Sequence, residues 1–251
     1  YITQYIVTGI GHLKKLKAAS PNPSQGGASK ASDELKSITD LAIPYLDRMI
    51  KKDYDELKKY KTDMKNYVPG YDEIGYLYMR SFFPEYKIAA ASQTAYIYFR
   101  TQAQKTWVKQ SKYMQGMIAL ALHRTADAKT PGDILKSLKE TSITNEELGM
   151  YWKDLSAGGW FWYQAPIETQ SLLIEAFQEI GKDNKMVDDL RTWLLKNKQT
   201  TNWKTTKATA EACYALLLQG TEWLSNEPVV EIKLGTTIVS SKDDAAEAGT
   251  G

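Results

Sequence analysis

Four stretches of this chain have helical periodicity and almost no charge on any side. They are Thr3-Gln4-Tyr5-Ile6-Val7-Thr8-Gly9-Ile10, Gln93-Thr94-Ala95-Tyr96-Ile97-Tyr98-Phe99, Thr169-Gln170-Ser171-Leu172-Leu173-Ile174-Glu175-Ala176-Phe177 and Thr209-Ala210-Glu211-Ala212-Cys213-Tyr214-Ala215-Leu216. A helix apolar on most sides is a buried helix. Charge-rich stretches such as Asn184-Lys185-Met186-Val187-Asp188-Asp189-Leu190-Arg191 lie between them, each with a single apolar stripe. Buried inner helices alternating with amphipathic outer ones predict an all-α fold of helical hairpins, either an α/α toroid or an α-solenoid. Thr169 and Thr209 are 40 residues apart and Trp162 and Trp203 are 41 apart, about one hairpin plus its turns. The repeat is clear in this last pair and loose elsewhere, so periodicity by itself leaves closure open.

Breaks in the pattern divide the chain. Ile2, Ile6, Ile10, Leu13 and Leu16 form one stripe up to about Ala18, and Pro21 to Gly27 reads as a loop. Ser32 or Asp33 can cap a long second helix with Leu35, Ile38, Leu41, Tyr45, Met49 and Leu57, which Pro44 is expected to kink or divide. After Pro69-Gly70, helices are predicted over roughly 72–82, 89–106, 110–126, 131–141, 166–181, 184–198 and 204–219, with an aromatic loop after Gly158-Gly159. Val229-Val230-Glu231-Ile232-Lys233-Leu234-Gly235 is β-type. The expected organisation is a helical segment over 1–225, then the start of a β-domain or a flexible tail over 226–251. A helix starting at residue 1 with no N-cap ahead of it suggests an excised piece of a larger protein.

Composition narrows the function classes. Lys+Arg 32 against Asp+Glu 30 leaves +2, too balanced for a nucleic-acid binder. Hydrophobic content of 43% with 16 Gly and 8 Pro excludes a disordered or fibrous chain. No run of 18 apolar residues occurs, so no membrane span is expected. The single cysteine excludes an internal disulfide framework and multi-cysteine metal sites. Cys213, with Ala208, Ala212, Ala215 and Leu216 as helical neighbours, is expected to be shielded. His12 and His123 stand at helix ends beside basic residues and read as cations on terminal carbonyls. Gly9-x-Gly11 lies inside a helix and is no phosphate loop. No cofactor and no metal is expected.

The 7 Trp and 16 Tyr must fill a core or line a binding surface. Helical-toroid glycosidases pair two carboxylates with sugar-stacking rings. Glu168 and Glu175, with Trp160, Trp162, Tyr163 and Trp203, are the candidates here. The two glutamates are seven apart on one helix, however, and Glu168 after Pro166 reads as a first-turn dipole partner. Core packing is the preferred reading of the rings.

Asn202-Trp203-Lys204-Thr205-Thr206-Lys207-Ala208-Thr209-Ala210-Glu211-Ala212-Cys213-Tyr214-Ala215-Leu216-Leu217 resembles the late helix of the alpha-2-macroglobulin and complement thioester domains. Trp162 to Gln170 resembles the preceding inner helix, Tyr1-Ile2-Thr3-Gln4-Tyr5 an early one, and Val229 to Gly235 the start of the β-domain that follows. The resemblance covers nearly the whole chain and is greatest to the large bacterial envelope members. It implies an α/α toroid of terpenoid-cyclase type, incomplete and open. It also implies a non-catalytic part in trapping peptidases, and a place in the bacterial periplasm or on the outer surface. Its partners would be peptidases and other domains of the same chain. The family's thioester is built from Cys-x-Glu-Gln. Here Cys213 precedes Tyr214-Ala215-Leu216, so no thioester is expected. The alternatives are an α/α-toroid glycosidase or lyase, and a non-inhibitory interaction scaffold.

Overall fold

The computed structural model describes residues 2–19, 28–153, 166–198, 203, 205–218, 231–234 and 237–240. Trp160, Trp162 and Tyr163 lie outside the described residues. The chain divides into two units, Tyr1–Leu218 and Gln219–Gly251. The first is mostly helical: α1 (Ile2–Ala19), α2 (Ala28–Lys59), α3 (Tyr71–Arg80), α4 (Ala90–Thr106), α5 (Lys112–Arg124), α6 (Thr130–Glu140), α7 (Pro166–Ala176), α8 (Asn184–Lys198) and α9 (Thr206–Leu217). A π-helical turn, Phe177–Gly181, prolongs α7. In the second unit, β3 (Glu231–Leu234) pairs antiparallel with β4 (Thr237–Ser240).

Local chemistry explains the starts. Ser111 and Thr205 accept the amides of Met114 and Ala208 and so cap α5 and α9, and Pro131 sits in the first turn of α6. Pro44 does not divide α2, which continues through it as one element.

Burial separates two kinds of helix. In α3 every residue from Ile74 to Arg80 is buried, and in α7 every residue from Glu168 to Ala176. In α5 the same holds from Tyr113 to Leu122 except at Gln115. By contrast, α2, α4, α6 and α8 each bury one stripe, such as Ile134, Leu135 and Leu138 of α6. The odd-numbered helices are neighbours in succession, α1 to α3, α3 to α5, α5 to α7 and α7 to α9, and α9 meets α1. Each even-numbered helix packs on the outside of that series: α2 on α1 and α3, α4 on α3 and α5, α6 on α5, α8 on α7.

One of the four expected inner helices is corrected, and a second is covered on one face only. The stretch from Gln93 forms α4, whose Ser92, Ala95, Phe99 and Ala103 are buried while Ile97 is exposed. The stretch from Thr3 forms α1, which stands in the inner series but buries only one face, with Gln4, Val7 and Ile10 inside and Ile2, Ile6 and Leu13 exposed. Low charge in an eight-residue window did not distinguish a helix covered on all sides from one covered on a single face. The buried helices α3 and α5 were not singled out, although Ile74 to Met79 and Tyr113 to Leu122 carry no charge.

A hairpin between α6 and α7 was also unforeseen: β1 (Ile143–Asn145) pairs with β2 (Gly149–Tyr151). Asn145 Oδ1 accepts the amides of Glu147 and Leu148 and turns the chain. Gly149, at φ +74°, lies so close to α8 that an added Cβ would be 2.1 Å from the Asp189 carbonyl oxygen. Gln170 of α7 ties this hairpin down by donating to the carbonyls of Met150 and Leu190 at 2.8 and 3.0 Å. Gly11 in α1 is a packing glycine, since a Cβ there would come within 2.7 Å of the Phe82 ring.

Candidate functional site

One carboxylate on α7 is bonded to every other odd-numbered helix. Glu175, 1% exposed, accepts at Oε1 from Lys15 Nζ of α1 (3.0 Å), Arg124 Nη2 of α5 (2.6 Å) and the Tyr214 hydroxyl of α9 (2.6 Å). Its Oε2 accepts from the Tyr78 hydroxyl of α3 at 2.5 Å. Glu179, one turn further on, accepts from Arg124 Nε at 2.8 Å and also pairs with Lys15. Two glutamates and two cations make the cluster neutral, which is what a low-dielectric interior requires.

Electrostatics follow the geometry. Burial alone would raise the Glu175 carboxyl, but Arg124 and Lys15 outweigh it and hold the group well below the usual carboxylate range. His12 stacks on Tyr214 with centroids 3.7 Å apart, and burial lowers its pKa to about 4. It is therefore neutral at pH 7, which corrects its reading as a cation capping carbonyls. Its Nε2 lies 2.9 Å from the Tyr78 hydroxyl, whose proton is committed to Glu175. The ring must donate from Nε2, which fixes the tautomer. His123 is exposed in the last turn of α5, whereas its neighbour Arg124 is drawn into the cluster.

A second polar layer lies one heptad toward the helix N-termini. Tyr5, Tyr71, Glu168 and Lys207 precede His12, Tyr78, Glu175 and Tyr214 by seven residues each, so each pair shares a helix face. Tyr113 joins them: its ring lies 6.4 Å from that of Tyr71, and Lys207 Nζ is 5.3 Å from its centroid. Glu211, one turn after Lys207, is pushed up to about 7 by burial, opposed by Lys207 and reinforced by Glu175 and Glu168.

Because this folded value lies above the ordinary 4.5, Glu211 adds stability that is complete below pH 4.5 and is lost as pH rises through about 7. The expected loss is on the order of 2–3 kcal/mol. Urea midpoints at about pH 5 and about pH 8 measure it. Glu211→Gln should hold its stability across that interval; an equal drop in wild type and variant would mean that another group titrates.

The candidates named from sequence fall in different places. Glu168 is buried in the first turn of α7, where its charge faces the helix dipole. Glu175 is saturated by four donors, so Glu168 and Glu175 do not form an acid/base pair. Trp203 is buried, with its indole Nε1 donating to the Leu194 carbonyl at 3.3 Å, so its ring packs rather than presents a platform. Cys213 is exposed, against expectation. Ala208, Ala212 and Ala215 face the core, while Cys213 shares the outer face with Thr206 and Ala210 at i, i+4 and i+7. Alanine on both faces hid the direction of that stripe. Glu211, Lys15 and Arg124 were missed as site residues; a carboxylate within an alanine-rich helix was the available signal for Glu211, whereas Lys15 stands between Lys14 and Lys17 and Arg124 at a helix end, where the sequence gives none. Among the described residues, no group of three or more His, Cys, Asp or Glu could hold a metal ion, and no helix is long and apolar enough to cross a membrane. No protein-family model matches the chain, and no curated protein matches it.

Proposed function

We propose that Tyr1–Leu218 is an α/α-toroid segment of a bacterial alpha-2-macroglobulin-like envelope protein, with a non-catalytic part in trapping peptidases. The observation that carries the architecture is Glu175 bonded at once to α1, α3, α5 and α9. One side chain can reach four helices only where they converge on it, and the contact of α9 with α1 favours a ring over a solenoid. The family rests on the motif resemblance around Trp162–Gln170 and Asn202–Leu217. Peptidases and other domains of the same chain are the partners, and the periplasm or outer surface is the place.

Two experiments test this reading. In the first, the folded chain is treated with methylamine and then with a thiol reagent, and its intact mass is recorded. No amine adduct is expected, and Cys213 should label rapidly because it is exposed. A stoichiometric methylamine adduct would mean covalent chemistry and overturn the non-catalytic reading. In the second, the full-length parent is mixed with a peptidase. Trapping blocks hydrolysis of large protein substrates and spares small peptides. Unchanged hydrolysis of both would sink the inhibitor role.

One observation favours glycoside hydrolysis as a second reading. Glu211 holds its proton to about pH 7, as a general acid must, and Glu168 and the tyrosines of its layer are nearby. Release of reducing ends from a polysaccharide, abolished by Glu211→Gln, would establish it.

A further inference from the structure

We propose that the surface formed by the end of α2, residues 60–69 and the end of α4 binds an anionic lipid membrane, lying on it without spanning it. Residues 57–69 and 101–112 hold seven lysines and a single acid, Asp63, in a chain whose net charge is only +2. The two segments lie side by side. The Tyr98 hydroxyl and Gln102 Nε2 donate to the Met64 carbonyl at 2.9 and 2.8 Å, and Gln110 Nε2 donates to the Pro69 carbonyl at 2.8 Å. The Tyr54 and Tyr98 rings, 5.1 Å apart, join the same two stretches.

These cations are not neutralised within the fold. Lysines on other helix surfaces meet a carboxylate one turn away, as in Lys36–Asp40, Lys51–Asp55 and Lys185–Asp189. Lys58, Lys59, Lys61, Lys65, Lys105 and Lys109 are exposed, and among the described residues none has a carboxylate within 4.0 Å. Asp63 is committed to its own turn, where it accepts from the amides of Lys65 and Asn66 and from Asn66 Nδ2. Helix dipoles account for Lys58, Lys59 and Lys105, in the last turns of α2 and α4. They do not account for Lys61 or Lys65. Lys61 holds φ +52° just past the end of α2, where glycine is the usual residue, so a cation is kept there at a backbone cost.

Apolar side chains decide what kind of anion this surface fits. Tyr60 is 71% exposed and Val108 63% exposed, one in each segment, and Trp107 stands half-buried beside Val108. Lysines around a tyrosine, a tryptophan and an aliphatic side chain left in water suit the boundary of a membrane. The cations meet anionic headgroups while the apolar tips enter the edge of the acyl layer. A soluble polyanion would engage the lysines and leave Val108 in water.

The test is flotation of the 251-residue chain with two kinds of vesicle, phosphatidylcholine alone and phosphatidylcholine mixed with phosphatidylglycerol. The chain should float only with the anionic vesicles at about 0.1 M salt and be released at about 1 M. Lys58→Gln and Lys105→Gln should each weaken partition about fivefold. Lys61→Gly should weaken it equally while raising Tm, because glycine accepts the positive φ; a merely structural lysine would not split the two readouts. Lys185→Gln makes the same charge change on α8 and should bind as wild type. Tyr60→Ser with Val108→Ser leaves the charge unchanged and should weaken partition several-fold. No flotation with anionic vesicles, or an equal loss in Lys185→Gln, would overturn the assignment. A Tyr60→Ser, Val108→Ser protein that binds as wild type would make this a surface for soluble polyanions and would overturn it too.

Discussion

Glu175→Ala is expected to destabilise the helical unit by about 3–5 kcal/mol, measured as a drop in the urea midpoint. The cost comes less from the lost bonds than from what is left behind. Arg124 and Lys15 would keep a single carboxylate, Glu179, between them, and the hydroxyls of Tyr78 and Tyr214 would lose their acceptor. A double-mutant cycle separates these effects. Glu175→Leu with Arg124→Met removes a neutral pair and should cost less than the sum of the two single changes. The Glu175 contribution also sets the acid limit. Its folded value lies below the ordinary 4.5, so its stabilisation is present above pH 4.5 and is lost as pH falls through the folded value. A loss under about 1 kcal/mol for Glu175→Ala would mean that both cations reach water and that the five helices do not depend on this hub.

Trp203→Ala should cost a similar amount, about 3–5 kcal/mol. Its ring is 7% exposed and its indole proton goes to the carbonyl of Leu194, so truncation leaves a cavity ahead of α9 and removes that tie to α8. Thermal or urea unfolding reads the loss. A value below about 1 kcal/mol would show a ring free to stack on a ligand, and would shift the balance toward the carbohydrate reading.

Periodicity and punctuation alone determined most of the helices. Breaks at Pro69-Gly70 and ahead of Pro131 and Pro166 limit where α3, α6 and α7 can lie, because proline and glycine act on the backbone locally. The same local signals located α8 as an outer helix, since Asp188 and Lys185 can face only solvent. What they could not determine was which helices are covered on all sides. That depends on neighbours far along the chain: α3 is enclosed by α1, α2, α4 and α5, while α4 has one face in water. The hairpin at 143–151 was unreadable for a related reason, as its strands are three residues long and are held by Gln170 and α8. Second in importance was the direction of single side chains. Cys213 and Ala212 are adjacent in an alanine-rich helix, and only the packing of α9 against α7 turned one outward and the other inward. The polar hub marks the limit most clearly. Lys15, Tyr78, Arg124, Glu175 and Tyr214 are separated by up to 199 residues and share no motif, and each alone reads as a terminal cation, a core ring or a stray charge. Charge compensation in a low-dielectric interior is a property of distances in space, so only the tertiary structure could assemble it.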